Sequence, residues 1–337
     1  MRDALRRSEV SILSPLRYPG AKRRLCGFIT AALRLNGLKP RLLIEPFAGS
    51  ASVSLQLLND GFVEKAALAE RDPLVASFWK VVFFDSEWLI DRVRRVKLTL
   101  QQWDWFKNNP GTTDRDRALS CLFLNRTSFS GILAPGAGPI GGREQGSAYK
   151  LDCRFNVETL VKRIRQAARL GPRVLFVDCA SWDVTLAKVK AEKLPPRDLL
   201  YYFDPPFYRS AERLYSYYFN EEDHQRLHDT IISLRSPWIL SYDPAEPIMT
   251  MYSDNGRRPR HVQLLYSIRG SSSPTEAQEL VVSNLQRLPT KTRLWRSSEE
   301  WGSPSRASAD CSVATGRMRP SQRPTSSALA NGGGSHG

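Results

Sequence analysis

Leu199-Leu200-Tyr201-Tyr202-Phe203-Asp204-Pro205-Pro206-Phe207 decides how this chain is read. Its first five residues are a short continuous apolar run, the pattern of a strand buried on both faces. An acid and two prolines then end it. Proline fixes φ and has no N–H, so the carbonyl groups here meet no competing donor from those positions. Asp204 adds a second acceptor, and Phe207 a flat face for stacking. Two acceptors beside a ring suit an exocyclic amino group on a planar base. The bland alternative is a strand closing in a Pro-Pro turn with a solvated aspartate.

Working outward, strand and helix patterns alternate, which predicts an α/β fold with a largely parallel sheet. Strands are predicted at Arg41–Phe47, Ala66–Ala69, Arg173–Val177, Leu199–Phe203 and Trp238–Ser241, with two more within His261–Ile268 and Glu279–Ser283. A helix is predicted over Val53–Asn59. Four strands carry an acid at their end: Glu45 (just within it), Glu70, Asp178 and Asp204. Ligands of open α/β sheets bind at the carboxyl ends of strands, so a site is expected there. Between Pro73 and Leu170 long helical stretches interleave aromatic and basic residues, among them Trp88, Arg92, Trp103, Trp105 and Lys107. Gly131–Asn156 is a Gly/Pro-rich loop. The segment 73–170 reads as an insertion between sheet strands, and 286–337 as a tail too poor in aliphatic residues to fold on its own.

The bulk numbers bound the partners. The net charge is +15; eight Lys/Arg against three Asp/Glu in the tail leave +10 on the body. Such an excess favours a polyanion, because basic side chains that neutralise phosphates release counterions. No apolar run reaches the ~20 residues of a membrane span, and the charged stretch Met1–Val10 predicts no signal peptide. Five scattered cysteines (Cys26, Cys121, Cys153, Cys179, Cys311) contain no CxxC pair. That argues against a zinc site or a disulfide framework, predicts no metal, and fits a reducing cytoplasm.

Three further stretches carry chemistry. In Glu45-Pro46-Phe47-Ala48-Gly49-Ser50-Ala51-Ser52-Val53, tiny residues after a strand let a ligand approach the backbone. With one glycine of the dinucleotide fingerprint and no P-loop lysine, a nicotinamide or ATP site is disfavoured and a small nucleoside cofactor allowed. Glu70, about 20 residues on, is placed to accept hydrogen bonds from ribose hydroxyls; Asp72 reads equally as a helix N-cap before Pro73. Arg17-Tyr18-Pro19-Gly20-Ala21-Lys22 is a basic turn with an aromatic, where Lys22 could meet a carboxylate or phosphate. Asn125-Arg126-Thr127-Ser128-Phe129-Ser130-Gly131, with Gly138–Arg143, suits phosphate contacts and base-edge reading, or is an ordinary surface loop.

Taken in order, these motifs resemble the Dam-like, D12 class of DNA adenine-N6 methyltransferases. RYPGAK at 17–22 resembles the family's cofactor motif, EPFAGSASV at 45–53 its glycine motif, LAERD at 68–72 its second-strand acid, LNRTSFSG at 124–131 the element beside its target-recognition region, and DPPF at 204–207 its catalytic motif. The likeness covers about 14–285. Ala21 and Ala51 stand where the family has glycines, and Phe207 where tyrosine is commoner. The resemblance implies a Rossmann-like core at 14–72 and 171–285 that binds S-adenosylmethionine (AdoMet), with 73–170 as a helical DNA-recognition insert. It implies catalytic Asp204, Pro205, Pro206 and Phe207. It implies cofactor contacts from Tyr18, Lys22, Phe47, Gly49, Glu70, Asp178 and Asp204. It implies DNA contacts from Arg17, Asn125, Arg126 and Arg143. The substrate would be double-stranded DNA with the target adenine flipped out, and the enzyme a cytoplasmic monomer with room for a cognate restriction endonuclease as partner. Cytosine-N4 methylation, RNA adenine methylation, and a non-catalytic DNA-binding module on the same fold are the alternatives.

Overall fold

A computed structural model of the chain describes residues 12–18, 22–209, 211–253, 259–266 and 275–294. Pro19, Gly20 and Ala21 of the basic turn, and the tail from 295 on, lie outside the described residues. Seven strands form one sheet: β1 (Leu42–Glu45), β2 (Lys65–Glu70), β3 (Val174–Cys179), β4 (Leu199–Phe203), β5 (Trp238–Tyr242), β6 (Arg260–Tyr266) and β7 (Thr275–Ser283). Their order is β3-β2-β1-β4-β5-β7-β6. β1 to β5 are mutually parallel, and β7 runs antiparallel between β5 and β6. The order reverses between β1 and β4, the switch point at which a crevice opens in such sheets.

Alternation along each strand splits the core between the two faces of the sheet. Leu43, Leu68, Leu200, Tyr202, Ile239 and Val281 pack on one face, with helices α1 (Cys26–Leu35), α2 (Ser52–Asn59) and α3 (Pro73–Phe84). On the other face, Ile44, Ala67, Tyr201, Phe203, Leu240 and Leu280 pack with α8 (Trp182–Ala191), α10 (Glu221–Ser233) and α11 (Glu246–Ser253). The first strand stops at Glu45, short of the expected Phe47, because Pro46 has no N–H for a ladder bond. β3 runs two residues further than expected and takes Asp178 into the strand.

Between β2 and β3 the chain forms α3, α4 (Ser86–Arg95), α5 (Leu100–Asn108), α6 (Asp114–Thr127) and α7 (Val157–Ala168). Side chains cap most of these helices. Asp72 accepts from Leu74 N–H ahead of Pro73, Thr99 and Thr113 cap α5 and α6, and Asn156 caps α7. Helix α3 packs on β2 and β3 and against α6, while α4 meets α6 and α7. The helical segment and the sheet thus share one apolar core. Among the described residues, no helix is long and apolar enough to cross a membrane.

Helix α2 is capped in an unusual way. Its N-cap, Ala51, lies in the left-handed region (φ 49°) and has no polar side chain. Glu45, at the end of β1, takes over. Its Oε2 accepts from the Ser54 N–H at 3.1 Å and from the Ser54 hydroxyl. Burial pushes the Glu45 carboxyl up to about 8, against the pull of those two bonds. A carboxyl raised from 4.5 in this way stabilises the fold fully only below 4.5. That contribution is lost as pH rises through about 8, because the unfolded chain releases the proton first. Glu45→Gln keeps a neutral acceptor, so its thermal midpoint should gain on wild type progressively from about pH 5 to pH 9. A difference that does not change with pH, measured by thermal unfolding, would contradict a buried, proton-binding Glu45.

Candidate active site

The cleft lies at the switch point, over the carboxyl ends of β1, β2 and β4. Asp204 is the first residue beyond β4. Its Oδ1 accepts from Lys22 Nζ at 2.9 Å and from Ser241 Oγ at 2.8 Å. The Tyr202 hydroxyl lies 2.7 Å from the same Ser241 oxygen. Among the described residues no partner falls on Oδ2. Burial raises the Asp204 carboxyl above the usual range, while Lys22 and Ser241 pull it back in part. Lys22 is almost fully buried, and its ammonium sits 5.3 Å from the centroid of the Phe207 ring. Phe207 in turn meets Tyr215 edge-on, with centroids 6.0 Å apart. The loop after Pro205 and Pro206 is pinned from just beyond β5, where the Asp243 carboxylate accepts from Tyr208 N–H at 2.7 Å and Arg209 N–H at 3.3 Å.

The other half of the cleft is built from β1, β2 and the glycine turn. Tyr18, Phe47, Gly49, Glu70 and Asp72 line it. Gly49 has φ +45°, and a Cβ there would come 2.9 Å from the Tyr18 ring. The tyrosine thus lies directly on bare backbone. The Gly49 carbonyl accepts from Trp79 Nε1 at 2.8 Å, which fixes the turn to α3. Glu70 Oε2 accepts from Gly49 N–H at 2.9 Å, and Oε1 accepts from Arg71 N–H at 2.8 Å and Asp72 N–H at 3.2 Å. Burial drives this carboxyl up to about 7.

The electrostatics invert those of the whole chain. A protein of charge +15 lines this cleft with four acids, Glu45, Glu70, Asp72 and Asp204, against Lys22, and the lining gains negative charge as Glu70 ionises through about 7 and Glu45 through about 8. Such a lining repels phosphates and suits a ligand that carries positive charge and hydroxyl donors.

Several expected contacts lie elsewhere. Lys22 lines the cleft and meets a carboxylate there, that of Asp204. Asp178 does not line the cleft: alternation along β3 puts it on the α8 side, where it pairs with Lys188 at 2.6 Å. Asn125 and Arg126 lie inside the fold. Both are buried in the last turn of α6. The Asn125 amide accepts from Arg17 N–H at 2.7 Å and donates to the Arg17 and Gly131 carbonyls at 2.7 and 2.8 Å. Arg126, 6% exposed, donates to the Pro15 carbonyl. Burial and the neighbouring Arg163, Arg17 and Arg154 push its guanidinium down to about 9. These two residues hold segment 12–18 against the helices. Arg143 is exposed; it bonds both oxygens of Asp104 at 2.7 Å and lies over Trp103.

Sequence reasoning missed Ser241, Tyr215 and Trp79. A serine in the apolar run of β5 was the one available signal for Ser241, since a buried hydroxyl needs a partner. Tyr215 follows the short helix α9 (Ala211–Leu214), in a stretch with no motif.

These features coincide with a match by sequence. The family model of the D12 class N6 adenine-specific DNA methyltransferases matches residues 18–268, a span that takes in every wall of the cleft. No curated protein matches the chain. An acid-lined crevice at the switch point of a 3-2-1-4-5-7-6 sheet, and a family match over most of the chain, lead to one conclusion: the chain belongs to the D12 class N6 adenine-specific DNA methyltransferase family.

Proposed function

We propose that the two halves of the cleft divide the work, with AdoMet held by the β1–β2 half and the target adenine presented to Asp204. The observation that carries this reading is the asymmetry of Asp204. Lys22 and Ser241 both take Oδ1, and Oδ2 is left on a side chain that lines the cleft.

The residues present fit AdoMet. The Gly49 backbone is bare on the side where Tyr18 rests, Glu70 and Asp72 suit ribose hydroxyls, Phe47 offers an apolar wall, and the negative lining suits a cationic ligand. When bound, AdoMet supplies an electrophilic methyl group. Everything else falls to this chain. Asp204 Oδ2 and the Pro205 carbonyl accept the two N6–H bonds of an adenine turned out of the duplex. Those bonds draw the nitrogen lone pair out of conjugation with the ring and toward the methyl. Phe207, edge-packed by Tyr215, holds the base plane. An N6 that accepted the methyl group would carry positive charge and would have to lose a proton. The Asp204 carboxylate, made more basic by burial, is the nearest acceptor. Positioning of the two reactants supplies most of the rate gain.

The helical segment between β2 and β3 is the part assigned to the duplex. Its loop 128–156 is tied down by Phe129 N–H to the Gly138 carbonyl and Ile140 N–H to the Thr127 carbonyl. It exposes Phe129, Tyr149 and Arg143, rings for unstacked bases and a cation for phosphate. Gly131 and Leu133 carry that loop to the wall of the cleft.

Asp204→Ala should slow methyl transfer by at least ~10²-fold, the scale for a lost polar group at the reacting atom, and leave DNA binding largely intact. Turnover near wild type would remove Asp204 from the mechanism. Glu70→Gln should weaken AdoMet binding by about 1–3 kcal/mol. Because ribose donors need the ionised carboxylate, wild-type affinity should tighten as pH rises through about 7 and the variant's should not. Calorimetry that finds equal affinity and equal pH dependence would refute the ribose role. For DNA, a chain ending at Leu294 should methylate the same sequence with modestly weaker binding, from loss of nonspecific phosphate attraction. Phe129→Ala and Arg143→Ala should weaken binding or relax the methylated sequence. A methylation map in which only the truncation changes the sequence would overturn this division.

A further inference from the structure

Strand β7 carries a charge where an apolar residue is expected. Alternation puts Glu279, Val281 and Ser283 on one face. Val281 there packs in the core with Tyr202 and Ile239. Glu279 is 2% exposed. A carboxylate in such a place is costly unless it is paired. Its Oε1 lies 3.6 Å from Lys22 Nζ, the same ammonium that stands 2.9 Å from Asp204 Oδ1. Four separate elements therefore converge: Asp204 from the end of β4, Ser241 from β5, Glu279 from β7, and Lys22 from the turn ahead of α1.

We propose that Glu279 is a positioning residue for methyl transfer: it holds the Lys22 ammonium against Oδ1 of Asp204, which leaves Oδ2 directed at the target amino group. The inference rests on the reading of Asp204 as the acceptor of that group. A lysine has a flexible four-carbon stem and a strongly hydrated head, so one carboxylate alone restrains it poorly. A second carboxylate, from a strand locked between β5 and β6, reduces that freedom. The Phe207 face bounds the ammonium on a third side.

The arrangement also sets charge. Lys22 is faced by Asp204 and Glu279. Tyr215 feels Lys22, Asp204 and Glu279; the Asp204 charge helps to raise Glu45 on β1, which keeps its proton up to about 8; Tyr202 shares Ser241 with Asp204. Carboxylates outnumber the ammonium, so removing one of them leaves more of its field for Asp204. Loss of the Glu279 charge should ease ionisation of Asp204, and loss of the Lys22 charge should hinder it.

The test is single-turnover methyl transfer from labelled AdoMet to long unmethylated duplex DNA across pH, with the affinities for AdoMet and DNA measured separately. Glu279→Gln should lower the plateau rate by about tenfold or more, hold both affinities within about threefold, and move the acid limb to lower pH. Lys22→Met should move that limb to higher pH. A wild-type plateau and limb in Glu279→Gln would overturn the proposal. So would a lower rate with the limb unmoved, since that is what a purely structural role produces. Should Glu279→Gln not fold, Glu279→Asp keeps the charge but withdraws it from Lys22: a plateau lowered about fivefold or more with affinities kept supports the proposal, and a wild-type plateau overturns it. Asp204→Asn is run alongside. If it fails to transfer while Glu279→Gln behaves as wild type, only the positioning role falls; if Asp204→Asn transfers at the wild-type rate, the reading of Asp204 falls with it.

Discussion

The buried ion pair between Lys22 and Asp204 is the contact on which the rest of the cleft depends. It joins the turn ahead of α1 to the end of β4, and so ties the N-terminal segment to the loop that follows β4. Burying two charges together is costly unless both are well paired. Here Ser241 adds a second donor to Asp204, and Glu279 a second anion to Lys22. The result is a carboxylate with one oxygen held and the other left to the cleft. An aspartate at the end of a strand in open water would have neither constraint, and its two oxygens would be equivalent.

Around this pair the fold places acids where a basic chain would otherwise place none. Parallel order 2-1-4 sets the ends of β2, β1 and β4 side by side, and each end carries a carboxylate. Backbone N–H groups and a helix N-terminus, rather than arginines, satisfy two of them. Glu70 takes three backbone N–H bonds, and Glu45 caps α2. The cleft is therefore lined mainly by acids, in a chain whose net charge is +15.

Much of this was legible in the sequence. The apolar run Leu199–Phe203 is β4 to the residue, because continuous apolar residues bounded by proline have few other readings. The acids at 45, 70 and 204 were found by the same rule, since a charge at the end of a buried strand must face either solvent or a ligand. Asp178 obeyed the rule in sequence but failed in space, because β3 continues past it and alternation turns it toward α8. Asn125 and Arg126 look like surface donors in a linear motif. Only the tertiary fold shows segment 12–18 lying on them and taking their hydrogen bonds. Glu279 was invisible for a related reason: the partner that explains it is more than 250 residues away in the chain.

The central claim is that Asp204 meets the target nitrogen through Oδ2 while Oδ1 stays with Lys22 and Ser241. A crystal structure of the protein with a non-transferring AdoMet analogue and a duplex that carries its methylated sequence tests this directly. The account predicts an extruded adenine with N6 within hydrogen-bond distance of Oδ2 and of the Pro205 carbonyl, its ring against Phe207, and the Lys22–Asp204 pair unbroken. An adenine whose N6 displaces Lys22 from Oδ1, or that is held by groups other than Asp204, would contradict it.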